Sequence, residues 1–207
     1  AIDHVVFMGM GEPMMNLDAV LAASRRLPDL GVSHRHTTIS TVGWVPGIER
    51  LATEGPRVRL ALSLHSAEPS VRSELMPVND RYPLDQVIEA CLAWRAERRL
   101  KVYIEYLMLA GVNDAPSQAD VLAEVLRPSD AFKVNLIPFN PTPGKLTGSS
   151  PEAIEAFKRR LIGHGIPATV RLTRGRDIQA ACGQLAAGEP PARRRRGAHD
   201  QPGSLRT

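Results

Sequence analysis

Short apolar runs of strand length alternate with longer helical patterns along most of this chain, and that alternation is the tightest constraint on its fold. The strand-like runs are His4–Met8, Arg35–Ile39, Arg57–Leu64, Lys101–Met108, Phe132–Pro138 and Ala168–Leu172, several of them rich in β-branched and aliphatic residues. Helical patterns occupy Leu17–Leu30, Pro46–Ala52, Leu84–Arg99, Ser117–Leu126 and Pro151–Gly163. Two of them carry start signals: Asn16 stands before Leu17, and Ser150 precedes Pro151 and Glu152. This order predicts an α/β fold, a parallel sheet covered by helices. Six strands are two short of a (βα)8 barrel, which leaves a doubly wound sheet and a partial barrel. In either, ligands gather at the carboxyl ends of the strands, where strand-to-helix loops converge.

Composition supports one domain with a real core: 207 residues, 43% apolar and 23% charged. No apolar run reaches the roughly 18 residues that cross a bilayer, and the start lacks signal-peptide features, so a cytoplasmic protein is expected. The net charge of +4 is uneven, with +3 in residues 189–207, where Arg193–Arg196 and Arg206 outnumber Glu189 and Asp200. That Pro/Gly/Arg-rich tail has no apolar period and reads as disorder over residues 188–207. Two cysteines, Cys91 and Cys182, are too few for a disulfide scaffold or for a metal cluster of their own.

The residues after each strand form a second pattern of small, polar and charged groups: Gly9–Pro13, Ser40–Gly43, Ser63–Ser66, Gly111–Asp114, Asn140–Pro143 and Thr173–Arg176. Turns need Gly, Asn and Pro in any protein, but six such loops at one end favour a site. In the first, Gly9 and Gly11 admit close approach of a ligand to the backbone, and Glu12 adds an acceptor suited to an amine or a ribose hydroxyl. Pro13 offers no amide, so the loop is not a dinucleotide fingerprint. Ser63 and His65 are expected on one side of their strand and Leu64 on the other. A Ser–His hydrolase is a distant reading, because no nucleophile elbow surrounds Ser63; ligand binding and a buried structural histidine both remain open. Cys91 sits at helical spacing from Val87, Ile88 and Leu92 and reads as core. Cys182 follows Arg171, Arg174 and Arg176, which would favour its thiolate, although a buried structural cysteine is an equal alternative.

Taken in order, VVFMGMGEPMMN, TTISTVG, LALSLHS, IEYLMLAGVND, VNLIPFNPTPG and VRLTRGRDIQAACGQLA closely resemble the RlmN/Cfr family of radical S-adenosylmethionine (SAM) RNA methyltransferases. The resemblance covers residues 1–187. It implies a partial (βα)6 TIM-like barrel of the radical SAM type, here without its first βα unit. It further implies that Gly11, Glu12, Ser40, Ser63, Leu64, His65 and Asn140 bind SAM, and that Cys182 is the catalytic cysteine methylated in turnover. Carbon C2 of adenine is not nucleophilic, so it cannot attack a SAM methyl group. The family instead uses a [4Fe–4S] cluster and a second SAM to make a 5′-deoxyadenosyl radical, which removes hydrogen from the S-methyl group and leaves a carbon-centred radical that adds to adenine. The implied activity is C2 methylation of adenine in 23S rRNA and tRNA by a monomer, with a reductant such as flavodoxin and no membrane. The alternatives are a Cfr-like C8 methyltransferase and a cluster-less SAM- or RNA-binding protein.

The sequence departs from the family at one decisive place. The cluster-binding CxxxCxxC motif is absent, and so are the resolving cysteine and the amino-terminal RNA-binding domain. The chain, which starts at Ala1, is therefore expected to be the carboxy-terminal part of a longer enzyme and to be inactive alone.

Overall fold

A computed structural model describes residues 2–8, 11–141 and 144–171. All six expected strands form: β1 (Val5–Phe7), β2 (Thr37–Thr41), β3 (Arg59–Ser63), β4 (Val102–Met108), β5 (Phe132–Pro138) and β6 (Ala168–Val170). They make one sheet in the order β1-β2-β3-β4-β5-β6, with every neighbouring pair parallel. That order decides between the two expected architectures. A doubly wound sheet reverses its strand order at a switch point; this sheet never does. Right-handed crossovers that always advance in one direction place every helix on the same face and curl the sheet into an open barrel.

The helices are α1 (Leu17–Arg26), α2 (Val45–Glu54), α3 (Pro69–Leu75), α4 (Leu84–Arg98), α5 (Pro116–Leu126) and α6 (Pro151–Gly163). In α4, Leu84, Val87, Ile88, Cys91 and Trp94 recur at helical spacing and are all buried, so Cys91 is a core residue as expected. The Ser150 hydroxyl accepts from the Ala153 amide and caps α6, whereas Asn16 makes no side-chain cap for α1. The pattern beyond Arg26 is a 3-10 turn over Leu27–Leu30 rather than α-helix, because Pro28 cannot continue the ladder. Arg35 likewise lies in a 3-10 turn, His34–His36, ahead of β2. Helix α3 has no counterpart in the periodicity.

Register sorts the strand residues into two faces. Ile39, Leu60, Leu62, Ile104, Tyr106, Val134 and Leu136 face the helices and are 0% exposed. Burying each such side chain contributes about 1.5–3 kcal/mol. The opposite, concave face carries Ser40, Ser63, Glu105, Asn135 and Thr169 below a row of Leu107 and Ile137, where a closed barrel would hold layers of branched apolar residues throughout. Among the described residues, no helix is long and apolar enough to cross a membrane.

Candidate functional site

The carboxyl end of the sheet is held together by hydrogen bonds between loops. Glu12 takes the main-chain N–H of Met14 on Oε1 (3.1 Å) and that of Val42 on Oε2 (2.9 Å), which ties the end of β1 to the end of β2. The Val42 carbonyl in turn accepts from Arg72 Nη2 at 3.0 Å, and Arg72 Nη1 donates to Asn79 Oδ1 at 2.6 Å. Arg72 is 0% exposed, and burial lowers its pKa to about 10, so it stays charged at neutral pH. Gly43 sits beneath this guanidinium at φ +105, where a Cβ would meet Val87 at 3.1 Å and Arg72 Nη2 at 3.3 Å. At Gly47 a Cβ would meet that of Met14 at 2.4 Å, so glycine lets α2 rest against the turn that follows Glu12.

His65 is placed by a turn and not by strand alternation. β3 ends at Ser63, and His65 adopts φ +59, in the left-handed region. Its Nδ1 accepts the Leu107 main-chain N–H at 3.1 Å, and burial, helped by the Arg72 charge, lowers its pKa to about 4. Nδ1 is thus the acceptor nitrogen of a neutral ring, and Nε2 carries the proton as a donor. Leu64 points to the helix side as expected and is 0% exposed in the core. Only its main chain can face a ligand, and its N–H already donates to the Glu105 carbonyl at 3.0 Å.

The Gly111–Asp114 loop is structural. Asn113 is 0% exposed; its Oδ1 accepts from Leu109 N–H at 2.8 Å, and its Nδ2 donates to the carbonyls of His65 at 2.7 Å and Leu107 at 2.6 Å. The Tyr106 hydroxyl completes the set by donating to the Asn113 carbonyl at 2.8 Å. These bonds position His65 and leave Asn113 nothing to offer a ligand.

The concave face also holds residues the loop pattern overlooks. Ser63, Glu105, Asn135 and Thr169 stand side by side across β3–β6. Asn135 Nδ2 donates to Glu105 Oε1 at 2.9 Å, and the Thr169 hydroxyl donates to Asn135 Oδ1 at 2.8 Å. Glu105 is 6% exposed, and its Oε2 has no hydrogen bond; Arg171 Nη1 lies 3.6 Å away. The signal was a carboxylate and an amide within runs of strand length. Ser40, 5% exposed, lies on the same face one row lower, and Asn140, 4% exposed, follows β5. Gly11 and Glu12 line a cleft of about 240 Å³ with Phe7, Met8 and Val20, at the β1 edge. A Cβ on Gly11 would meet nothing within 4 Å, so nothing in the described protein requires glycine there. Gly9, Arg174, Arg176, Cys182 and the arginine tail lie outside the described residues.

A parallel sheet wound in one direction, with a polar concave face below its strand-end loops, is the architecture of a radical SAM domain. The model of the radical SAM superfamily matches residues 2–121, and the chain belongs to that superfamily. Within it the chain is of the RlmN type: it is 52% identical, over 92% of its length, to a "probable dual-specificity RNA methyltransferase RlmN" of Salinispora tropica. It is 49% identical over 90% of its length to the protein of the same description from Thermobifida fusca. The crystal structure of a radical SAM methyltransferase from Sphaerobacter thermophilus superposes with a TM-score of 0.85 at 44% identity, covering 89% of this chain and 55% of that one. A domain of a pyruvate-formate lyase-activating enzyme from Bacteroides vulgatus, 20% identical, shares the fold, with a TM-score of 0.64 over 83% of this chain and all of the other. The chain spans about half the length of the curated relatives it matches, 52% of the Salinispora tropica protein.

The superfamily implies SAM and a [4Fe–4S] cluster, and the described residues answer differently to each. Acceptors at Glu12 and Glu105, hydroxyls at Ser40 and Ser63 and the His65 Nε2–H donor fit the amine, hydroxyl and nucleobase groups of SAM. The cluster has no such fit. Among the described residues no three His, Cys, Asp or Glu side chains converge, and the Cys91 thiol is fully buried with its pKa pushed up to about 12. Cluster ligation needs thiolates, so none of these residues holds it.

Proposed function

We propose that this chain is the SAM-binding and methyl-carrying part of an RlmN-type enzyme that methylates adenine C2 in 23S rRNA and tRNA, in the cytoplasm. SAM, when bound, supplies the methyl group. In this reading Gly11, Glu12, Ser40, Ser63, Leu64, His65 and Asn140 bind it, residues 1–187 form one unit, and residues 188–207 are an appended tail. The observation that carries the reading is the polar row Ser63–Glu105–Asn135–Thr169 beneath a neutral His65, a set of oriented donors and acceptors where a closed barrel would be apolar. Glu12 holds the first two loops in register and presents its remaining lone pairs to an ammonium group. His65 donates from Nε2 without charging, so it orients a neutral acceptor of the nucleoside. Cys182 accepts the methyl group, and the Arg171, Arg174 and Arg176 guanidinium groups close to it in sequence favour its thiolate.

The test is nucleoside mass spectrometry of rRNA and tRNA from cells whose gene encodes Cys182→Ala. Loss of 2-methyladenosine with the protein still present supports the reading. Retained 2-methyladenosine overturns it, and loss of 8-methyladenosine instead assigns the C8 reaction.

A further inference from the structure

The amino ends of the same strands carry a second constellation. Arg35 before β2, Arg57 and Arg59 at the start of β3, and Leu100, Lys101 and Tyr103 at the start of β4 line one cleft of about 240 Å³. Four of these six residues are cations, and none is an acid. Among the described residues no carboxylate lies within ion-pairing distance of any of the four. Elsewhere the protein does pair its arginines: Arg50 with Asp18 and Glu54, Arg160 with Asp120. Arg57 Nε donates to the Arg98 carbonyl at 3.3 Å, and the Arg59 guanidinium lies 5.8 Å from the Tyr103 ring centroid. Both contacts aim the side chain without neutralising it.

Like charges gathered around a concave surface repel one another, and a cleft focuses their field on whatever enters it. We propose that this cleft binds the sugar–phosphate backbone of RNA. The proposal rests on the RNA-substrate reading above. Three of the four cations are arginines, whose planar forks match phosphate oxygens in pairs. The Arg59–Tyr103 stack adds a flat surface on which an unpaired base can lie. β4 has seven residues, so roughly 20 Å separates this cleft from the carboxyl ends. A folded RNA with its reacting base at one end of the barrel spans that distance with its flanking backbone.

The experiment is fluorescence anisotropy of a labelled RNA hairpin titrated with the 207-residue chain over a salt series. Arg35→Gln/Arg59→Gln is compared with Arg35→Lys/Arg59→Lys, and the arginine tail is common to all the proteins. We expect the Gln pair to lose roughly tenfold or more in affinity at low salt and to lower the slope of log K against log salt by about one to two, while the Lys pair keeps the slope. Unchanged affinity and slope in the Gln pair overturn the proposal. Polyglutamate binding as tightly as RNA, with the same loss in the Gln pair, also overturns it and assigns the cleft to an acidic polypeptide. If the Gln pair fails to fold by circular dichroism, Lys101→Gln carries the test, with an expected slope change of about one. SAM binding measured by equilibrium dialysis stays constant across the set. A cleft that fails while Cys182→Ala still abolishes RNA methylation removes this proposal alone. A cleft that binds RNA while methylation survives Cys182→Ala removes the enzyme reading alone.

Discussion

The two ends of the same parallel strands solve opposite problems. At the carboxyl ends, polar groups are tied to one another. Glu12 holds two amides, Arg72 holds a carbonyl and an amide oxygen, Asn113 holds three main-chain groups, and His65 is kept neutral. At the amino ends, four cations share a cleft with no carboxylate among its lining residues. One end ties its directional bonds to its own groups and suits a ligand of fixed shape; the other leaves its charges without carboxylate partners and suits the phosphate backbone proposed above. A parallel sheet produces this division readily, because its strand-to-helix loops all lie at one end and its helix-to-strand returns at the other.

The largest effect that would break the comparison is expected at Asn113. Asn113→Ala removes the acceptor of the Leu109 amide and the donor to the His65 and Leu107 carbonyls, all in a buried loop. Leaving several buried main-chain groups unpaired costs about 3–5 kcal/mol in total. Urea unfolding should show this as a lower midpoint, with SAM binding weakened because His65 loses its seat. A cost under about 1 kcal/mol would mean that the carboxyl end is not organised by these bonds.

Acidification probes the same end with a smaller effect. His65 is neutral in the fold with its pKa lowered to about 4, against an ordinary value of 6.5. Between those values the unfolded chain binds a proton that the folded one refuses, so stability falls as pH drops from 6.5 towards 4 and this contribution levels off below 4. The half-buried ring keeps the loss to about 2–3 kcal/mol. His65→Asn tolerates the left-handed backbone and carries no titrating group. Its unfolding free energy should lose this part of the pH dependence, and an undiminished slope would place the titration elsewhere.

What the sequence disclosed follows from which interactions are local. The strands were legible because apolar runs and β-branched residues mark them, and β5 was placed residue for residue at Phe132–Pro138. Periodicity alone does not choose between doubly wound sheet and open barrel, since strand order is set by pairings such as Thr38 with Arg59, remote in sequence; the family resemblance supplied the partial barrel, and the strand order agrees with it. Helix α3 was missed because PSVRSEL carries no apolar period. Its purpose is Arg72, whose partner Val42 lies thirty positions away. The loops holding Glu12, Ser63, His65 and Asn113 were picked out together, but composition could not tell a ligand-facing group from a staple. Only the hydrogen bonds show that Asn113 is a staple. Glu105 and Asn135 were visible as polar residues inside strands, and they become meaningful once register places them side by side.

The smallest effect is the one that isolates the amino end. Lys101 is exposed at the rim of the cationic cleft and makes no described hydrogen bond or ion pair, so removing its charge sacrifices no partner. Its positive neighbours still repel it. Lys101→Gln should therefore raise unfolding free energy by a few tenths of a kcal/mol at low ionic strength, the opposite sign to Asn113→Ala. At about 1 M salt the Debye length shrinks to about 3 Å and the gain should vanish. Paired urea titrations at the two ionic strengths measure it. A loss that persists in high salt would mean that Lys101 supports the fold through its aliphatic stem, and the cleft would then be a packing feature with its charges incidental.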